Sequence, residues 1–506
     1  MQKYLHFFLF PVLLSSTLSH SDVDPLPITD QEELIDQSTL SSIPHLISLK
    51  NLSKGQNYQT PFVQELTNTK NVRTLFVSTQ DLPIVDIQVS FNAGSAQDEV
   101  IGPGLYGIAS MAARLMPEGT DQYTAKQLSR AFEELGAKFS VNAYRDMFTV
   151  SLRVLSDPTK LEPALDLFLH LIQDANFNQS GLNLVLNNTK VGQKQVQENP
   201  SRLMTIQFYR SVYGQHPYAQ PSVGTQSSIK KITPELIQNF RNQLLVAQNS
   251  NIAITGNLTN LQASKIAEKI SVSLPQGSKA PPTVEPVEQD NFNIQWIPHN
   301  SSQAHVMMGH IGIRRNDPDR IALEVANRIF GSGSFNSLLS KELRVKRGFT
   351  YNASSTLTST QARGLFSLSY ATQQVQLLES IDVAHQTLYD FINQPISKKQ
   401  LAETKEGLLR SFPMTLSSNA NINAQIASIG FYGLETDYLN QYQKQISQLT
   451  TQDVENAIRK NLHADKMTVV VVANQLDKNK ITEILNENLG QVTFISDDAN
   501  QTSEIN

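Results

Sequence analysis

At 506 residues the chain is too long for one ordinary hydrophobic core, so two or more domains are expected. A composition 40% apolar and 17% charged excludes a disordered chain, and a formal charge of −5 argues against a nucleic-acid binder. The absence of cysteine excludes disulfides, thiol catalysis and Cys-ligated metals.

Residues 1–21 read as a secretory signal peptide. Lys3 gives a weakly positive start, residues 7–18 are a short apolar run, and Ser19 and Ser21 fit a cleavage site. The run is short for a membrane span, and no later stretch reaches spanning length. An exported chain is expected, with no transmembrane span after signal removal, and a cysteine-free one suits a bacterial periplasm. Residues 22–60, polar and holding Pro25, Pro27 and Pro44, read as an N-terminal arm.

Alternation predicts strands over 72–78 and 84–92, with Gly94-Ser95 as the break. Residues 107–120 follow as a helix: Ile108, Met111, Ala112 and Leu115 make one apolar stripe, and Pro117 and Gly119 stop it. A second helix runs over 124–135, capped by Thr124 and ended by Gly136. Two alternating runs, 138–143 and 148–155, meet through Tyr144-Arg-Asp as a hairpin. Helices are expected over 161–173, over 183–212 with an interruption at Asn199-Pro200, and over 233–243; a strand follows at 251–256. Residues 273–288 are rich in Pro, Gly, Ser and charge without periodicity, and make a linker.

Beyond it the pattern returns. A strand is predicted over 305–313, helices over 320–330 and 336–347, strands over 350–357 and 364–371, helices over 377–392, 397–412 and 450–461, and a strand over 466–473. Lys231 and Gln448 open matching helix blocks, Asn257 and Asn474 close matching strands, and both pairs lie 217 positions apart. A fixed offset with like elements in like order implies a duplicated domain. The fold class is α+β: two homologous domains, each a largely antiparallel sheet with packed helices. The expected organisation is 61–272 and 290–490 for the domains, 273–289 for the linker and 491–506 for a polar tail.

Several blocks carry a resemblance: Phe91-Asn-Ala-Gly-Ser-Ala-Gln-Asp-Glu, the 107–120 helix, Leu135-Gly-Ala, His216-Pro-Tyr with Gly224-Thr, and residues 330–351. Over roughly residues 62–486 the chain resembles the M16 peptidase family, the pitrilysin and insulinase group, and most of all its short bacterial type that pairs two subunits. The resemblance implies the M16/LuxS-like metallohydrolase fold. It also implies a zinc site built from H-x-x-E-H on the first helix and a Glu on a later one. Here the three motif positions are Ser110, Ala113 and Arg114, and the later region, Thr189-Lys-Val-Gly-Gln-Lys, has no acid. A cationic Arg114 would repel a dication. No cofactor is expected in this chain, and zinc is expected only in a partner subunit. His299, His305 and His310 cluster in sequence, but 305 and 310 face opposite sides of a strand, so ordinary histidines are the reading.

The family also uses an Arg and a Tyr seven positions apart to hold substrate and stabilise the reacting carbonyl. Arg344 and Tyr351 have that spacing, and the resemblance gives them that role; apart from it they read as a polar helix-face Arg and a sheet Tyr. The expected function is a non-catalytic subunit of an exported zinc metallopeptidase heterodimer, lending Arg344 and Tyr351 to an M16 homologue with an intact H-x-x-E-H motif. The substrate class is peptide or unfolded protein. The alternative is a structural or peptide-binding M16-like protein with no role in proteolysis. A hydrolase using Ser110 as nucleophile is disfavoured, because no G-x-S-x-G elbow surrounds it and no His or Lys lies beside it.

Overall fold

A computed structural model describes residues 59–333 and 335–489, which fall in one compact unit. The expected signal peptide, nearly all of the expected arm and the expected polar tail lie outside the described residues.

The alternating runs form two sheets. The first takes β1 Gln64–Leu66, β2 Arg73–Ser78, β3 Ile84–Phe91, β4 Lys138–Ala143, β5 Phe148–Leu155 and β6 Ser250–Gly256, in the order β1-β2-β6-β3-β5-β4. The second takes β7 Asn293–Pro298, β8 Gln303–Ile311, β9 Ala353–Thr358, β10 Leu365–Gln373 and β11 Thr468–Ala473, in the order β7-β11-β8-β10-β9. Leaving out β1, the two orders correspond strand for strand. In each sheet one pair is parallel, β2 with β6 and β7 with β11, and the rest are antiparallel. The duplication reaches the caps: Thr233 and Thr450, 217 positions apart, both accept a backbone N–H at the start of their helices.

Each sheet buries one face under helices of its own half. The other face is covered by a helix from the opposite half. Helix Pro200–Tyr213 lays Met204, Phe208 and Val212 on β8 and β11, against Ile311, Val470 and Val472. Helix Asn419–Phe431 lays Ile422, Ile426 and Ile429 on β2, β3 and β6, against Leu75, Val77 and Ala253. Each buried aliphatic or aromatic side chain contributes about 1.5–3 kcal/mol relative to exposure, so the halves are interlocked by their cores. The helix ends repeat the exchange. Tyr213 donates its hydroxyl to Arg363 O (3.1 Å) in the β9–β10 turn, and Tyr432 donates to Asp146 Oδ2 (3.1 Å) in the β4–β5 turn. Asp146 is buried; it also accepts from Tyr218 Oη and from the Gln361 N–H at 2.9 Å, and burial raises its carboxyl above the usual carboxylate range.

The segment between the halves is extended and pinned from both sides. Gln97 Nε2 donates to Pro281 O (3.0 Å) and His216 Nε2 donates to Val284 O (2.7 Å). From the second half, Arg314 pairs with Glu285 (2.8 Å) and Arg363 with Glu285 (3.2 Å) and Glu288.

Two local expectations change. The helix expected over 336–347 is a short turn Leu338–Ser340 followed by a π-turn Lys341–Val345. Arg347 Nη1 donates to Glu342 O (3.1 Å) from five residues on, and Lys346 and Arg347 both pair with the Glu342 carboxylate at 2.7 Å, which favours the wider turn. The strand expected from 350 starts at Ala353, because Thr350 Oγ1 accepts the Asn352 N–H (3.2 Å) and bends the chain first.

Candidate functional site

Helix Ile108–Leu115 starts at Gly107, whose φ of +97 favours glycine; a Cβ there would also lie 2.8 Å from Gly224 Cα. No side chain of the residue before the helix caps it. Asp98 does so instead, its Oδ2 accepting the Gly107 N–H at 2.6 Å and its Oδ1 the Ala109 N–H at 3.1 Å. Burial pushes the Asp98 carboxyl up to about 8, against the pull of those two donors. The apolar stripe Ile108, Met111, Ala112 and Leu115 is fully buried, and Ser110 and Ala113 are buried as well. Arg114 alone is exposed. Its Nη1 donates to Thr189 Oγ1 at 2.9 Å on helix Gln179–Gln197, and that hydroxyl donates on to Val185 O at 2.7 Å.

The second cluster lies in the other half. Arg344 sits in the Lys341–Val345 turn with its guanidinium between two rings, 4.2 Å from the Phe335 centroid and 4.5 Å from that of Tyr351. Tyr351 is 83% exposed and Phe335 60%. The Arg344 side chain is half-buried and makes no hydrogen bond or ion pair among the described residues. Stacking of this kind is worth about 0.5–1 kcal/mol at an exposed site. The Arg–Tyr spacing brings the predicted pair into contact; Phe335, which sequence reasoning passed over, closes the stack. No hydrogen bond, ion pair or ring contact links this cluster to helix Ile108–Leu115 among the described residues.

The model of the "Insulinase (Peptidase family M16)" matches residues 73–226, and that of the "Peptidase M16 inactive domain" matches residues 231–408. A crystal structure of a peptidase M16 inactive domain from Pseudomonas fluorescens is 32% identical, covers 82% of this chain and 98% of its own, and superposes with a TM-score of 0.78. The chain belongs to the M16 peptidase family. Among its M16 relatives are an uncharacterized zinc protease YmxG of Bacillus subtilis (21% identical, over 70% of this chain and 85% of the relative) and a non-peptidase homolog YmxG of Helicobacter pylori (21%, over 81% and 94%).

Within the M16 frame, the zinc that the family implies does not fit the residues present. Ser110 is a poor ligand, Ala113 can move no proton, and Arg114 brings a positive charge. In the third-ligand region, Thr189 meets Arg114 by a direct hydrogen bond, so the two helices are joined there without a metal. Among the described residues, no group of three His, Asp or Glu could hold a metal ion. Of the clustered histidines, His310 is buried, donating from Nδ1 to Ile311 O (2.8 Å) and accepting the His463 N–H at Nε2 (3.1 Å). Burial holds it down at about 4.

Proposed function

We propose that this chain is the non-catalytic subunit of an exported M16-type zinc peptidase, closing the cavity of a zinc-bearing partner. The observation that carries this reading is the contrast between the two clusters. The metal-motif positions are Ser110, Ala113 and Arg114 on a buried helix, while Arg344, half-buried and without a hydrogen bond among the described residues, stacks on the exposed ring of Tyr351. A guanidinium held flat between rings is pre-oriented to clamp a peptide carbonyl, and the adjacent phenol can donate to an oxyanion. The partner is an M16 homologue with intact H-x-x-E-H, the substrate a peptide or unfolded protein, and the compartment a periplasm, on the strength of the 1–21 signal peptide. No helix of the described residues is long and apolar enough to cross a membrane.

The test is co-expression with an H-x-x-E-H homologue from the same genome, followed by co-purification and a fluorogenic peptide assay. The pair is expected to associate and to cleave. Arg344→Ala and Tyr351→Phe are expected to lower the rate by roughly 10²-fold, the scale of one lost oxyanion donor, with association intact. Failure to associate, or full activity in both variants, sinks the reading and favours a structural or peptide-binding protein.

A further inference from the structure

The His216-Pro-Tyr block takes no part in either cluster described above. It stands where the first half, the segment joining the halves and the second half meet. His216 is buried, and both of its ring nitrogens are committed. Nε2 donates to Val284 O of the joining segment at 2.7 Å, and Nδ1 accepts the Tyr218 N–H at 3.0 Å. A carbonyl can only accept and an amide N–H can only donate, so these two contacts fix a neutral ring with its proton on Nε2.

The contacts continue from Tyr218 into the second half. The Tyr218 hydroxyl donates to Asp146 and accepts the Ala362 N–H at 3.3 Å, and Asp146 accepts the neighbouring Gln361 N–H at 2.9 Å. The Tyr218 ring is fully buried and stands edge-on to His216, with ring centres 4.6 Å apart. One chain of polar contacts therefore runs from Val284 through His216, Tyr218 and Asp146 to the β9–β10 turn. A second proton on His216, at Nδ1, would set N–H against N–H. The Tyr218 amide would lose its acceptor, and an orphaned buried donor is costly. The charged groups facing His216 are Glu285 on the joining segment and Arg145 and Asp146 on the β4–β5 turn; the Tyr213 ring stacks on it at 5.4 Å from helix Pro200–Tyr213. The two acids favour a proton and Arg145 opposes it, while burial, the largest influence, holds His216 below the ordinary histidine range. The neutral ring thus belongs to the closed junction, and acid works against it.

We propose that His216 is an acid-sensitive catch: while neutral it holds the joining segment and the β9–β10 turn to the first half, and its protonation releases both through Tyr218. The device needs neither a partner subunit nor the Arg344–Tyr351 pair.

The test is hydrogen exchange by mass spectrometry on the full chain at pH 7.5 and 5.0, corrected for the intrinsic pH dependence of exchange. Peptides covering Tyr218 and Gln361–Ala362 report the catch, and peptides from β8 report the core. At pH 5.0 exchange in the catch peptides is expected to speed up about tenfold, the scale of one lost hydrogen bond, with β8 unchanged. His216→Asn, whose side-chain oxygen can still accept the Tyr218 N–H but takes up no proton, is expected to remove the acceleration. Equal protection of the wild-type catch at both pH values overturns the proposal without any variant, as does an equal acceleration in β8, which would mean general loosening. An acceleration that persists in His216→Asn also overturns it, and its loss in Asp146→Asn would move the acid response to that carboxylate.

Discussion

The 108–115 helix and the 335–351 cluster stand on corresponding halves of one duplicated frame and have taken opposite courses. The helix is locked in place: seven of its eight residues are buried, its start is capped by Asp98, and its one free side chain is tied to Thr189. The cluster is open: Arg344 stacks on both Phe335 and Tyr351, and both rings are exposed. Packing fixes such a helix, because its buried face is needed by the core whatever its one exposed position carries. An exposed stack has no such support from the core.

The widest break should come from the interlock both regions share. Phe208→Ala removes a fully buried ring that crosses from one half to the other sheet. It is expected to cost about 3–5 kcal/mol, with both halves unfolding in one urea transition; two separated transitions would show that the halves are independent. Acid is next. The folded state holds His310 at about 4 against an ordinary 6.5, so the native protein binds fewer protons than the unfolded chain between those values. Its contribution is complete above about 6.5, declines as pH falls, and is lost by about 4, on the order of 3 kcal/mol. Burial lowers His216 and His385 as well, with the same sign. Asp98 and Asp146, raised by burial, contribute with the opposite sign over this range. The check is therefore the difference between wild type and His310→Gln in thermal melts at pH 7, 5.5 and 4.5, with the wild type expected to lose more stability than the variant as pH falls.

Smaller effects separate the two regions. Asp98→Ala strips the acceptor from two buried N–H groups and is expected to cost about 1–3 kcal/mol. Amide exchange is expected to speed up in the 107–111 segment and not in 341–351. Arg344→Ala should cost under about 1 kcal/mol in the isolated chain by chemical denaturation. A larger loss there would make the stack a structural prop and weaken its functional reading.

Much of the fold was legible because its causes are local. Alternation located β4 and β5 to the residue, Thr124, Thr233 and Thr450 announced their helices, and the 217-residue offset exposed the duplication before any strand order was known. Helix Asn419–Phe431 escaped notice for a physical reason. Its buried face mixes Ile422 and Ile426 with Asn419, Asn423 and Gly430, which meet Thr79, Thr255 and Asn251 of the opposite half, so its inward side looks polar in sequence. The π-turn Lys341–Val345 was hidden likewise, since the Glu342–Arg347 contacts that widen it are geometric choices among several helical pairings.

The sequence by itself determined that two like α+β halves were present, and it singled out Ser110, Ala113 and Arg114 on one helix and the seven-residue spacing of Arg344 and Tyr351. Only the tertiary structure decided that each half sends a helix onto the other's sheet, that Arg114 reaches Thr189 across 75 residues of chain, and that Phe335 completes the Arg344 stack. Periodicity and capping are set by neighbours a few residues apart. Which distant side chain ends beside which depends on how two cores pack, and no local pattern encodes that.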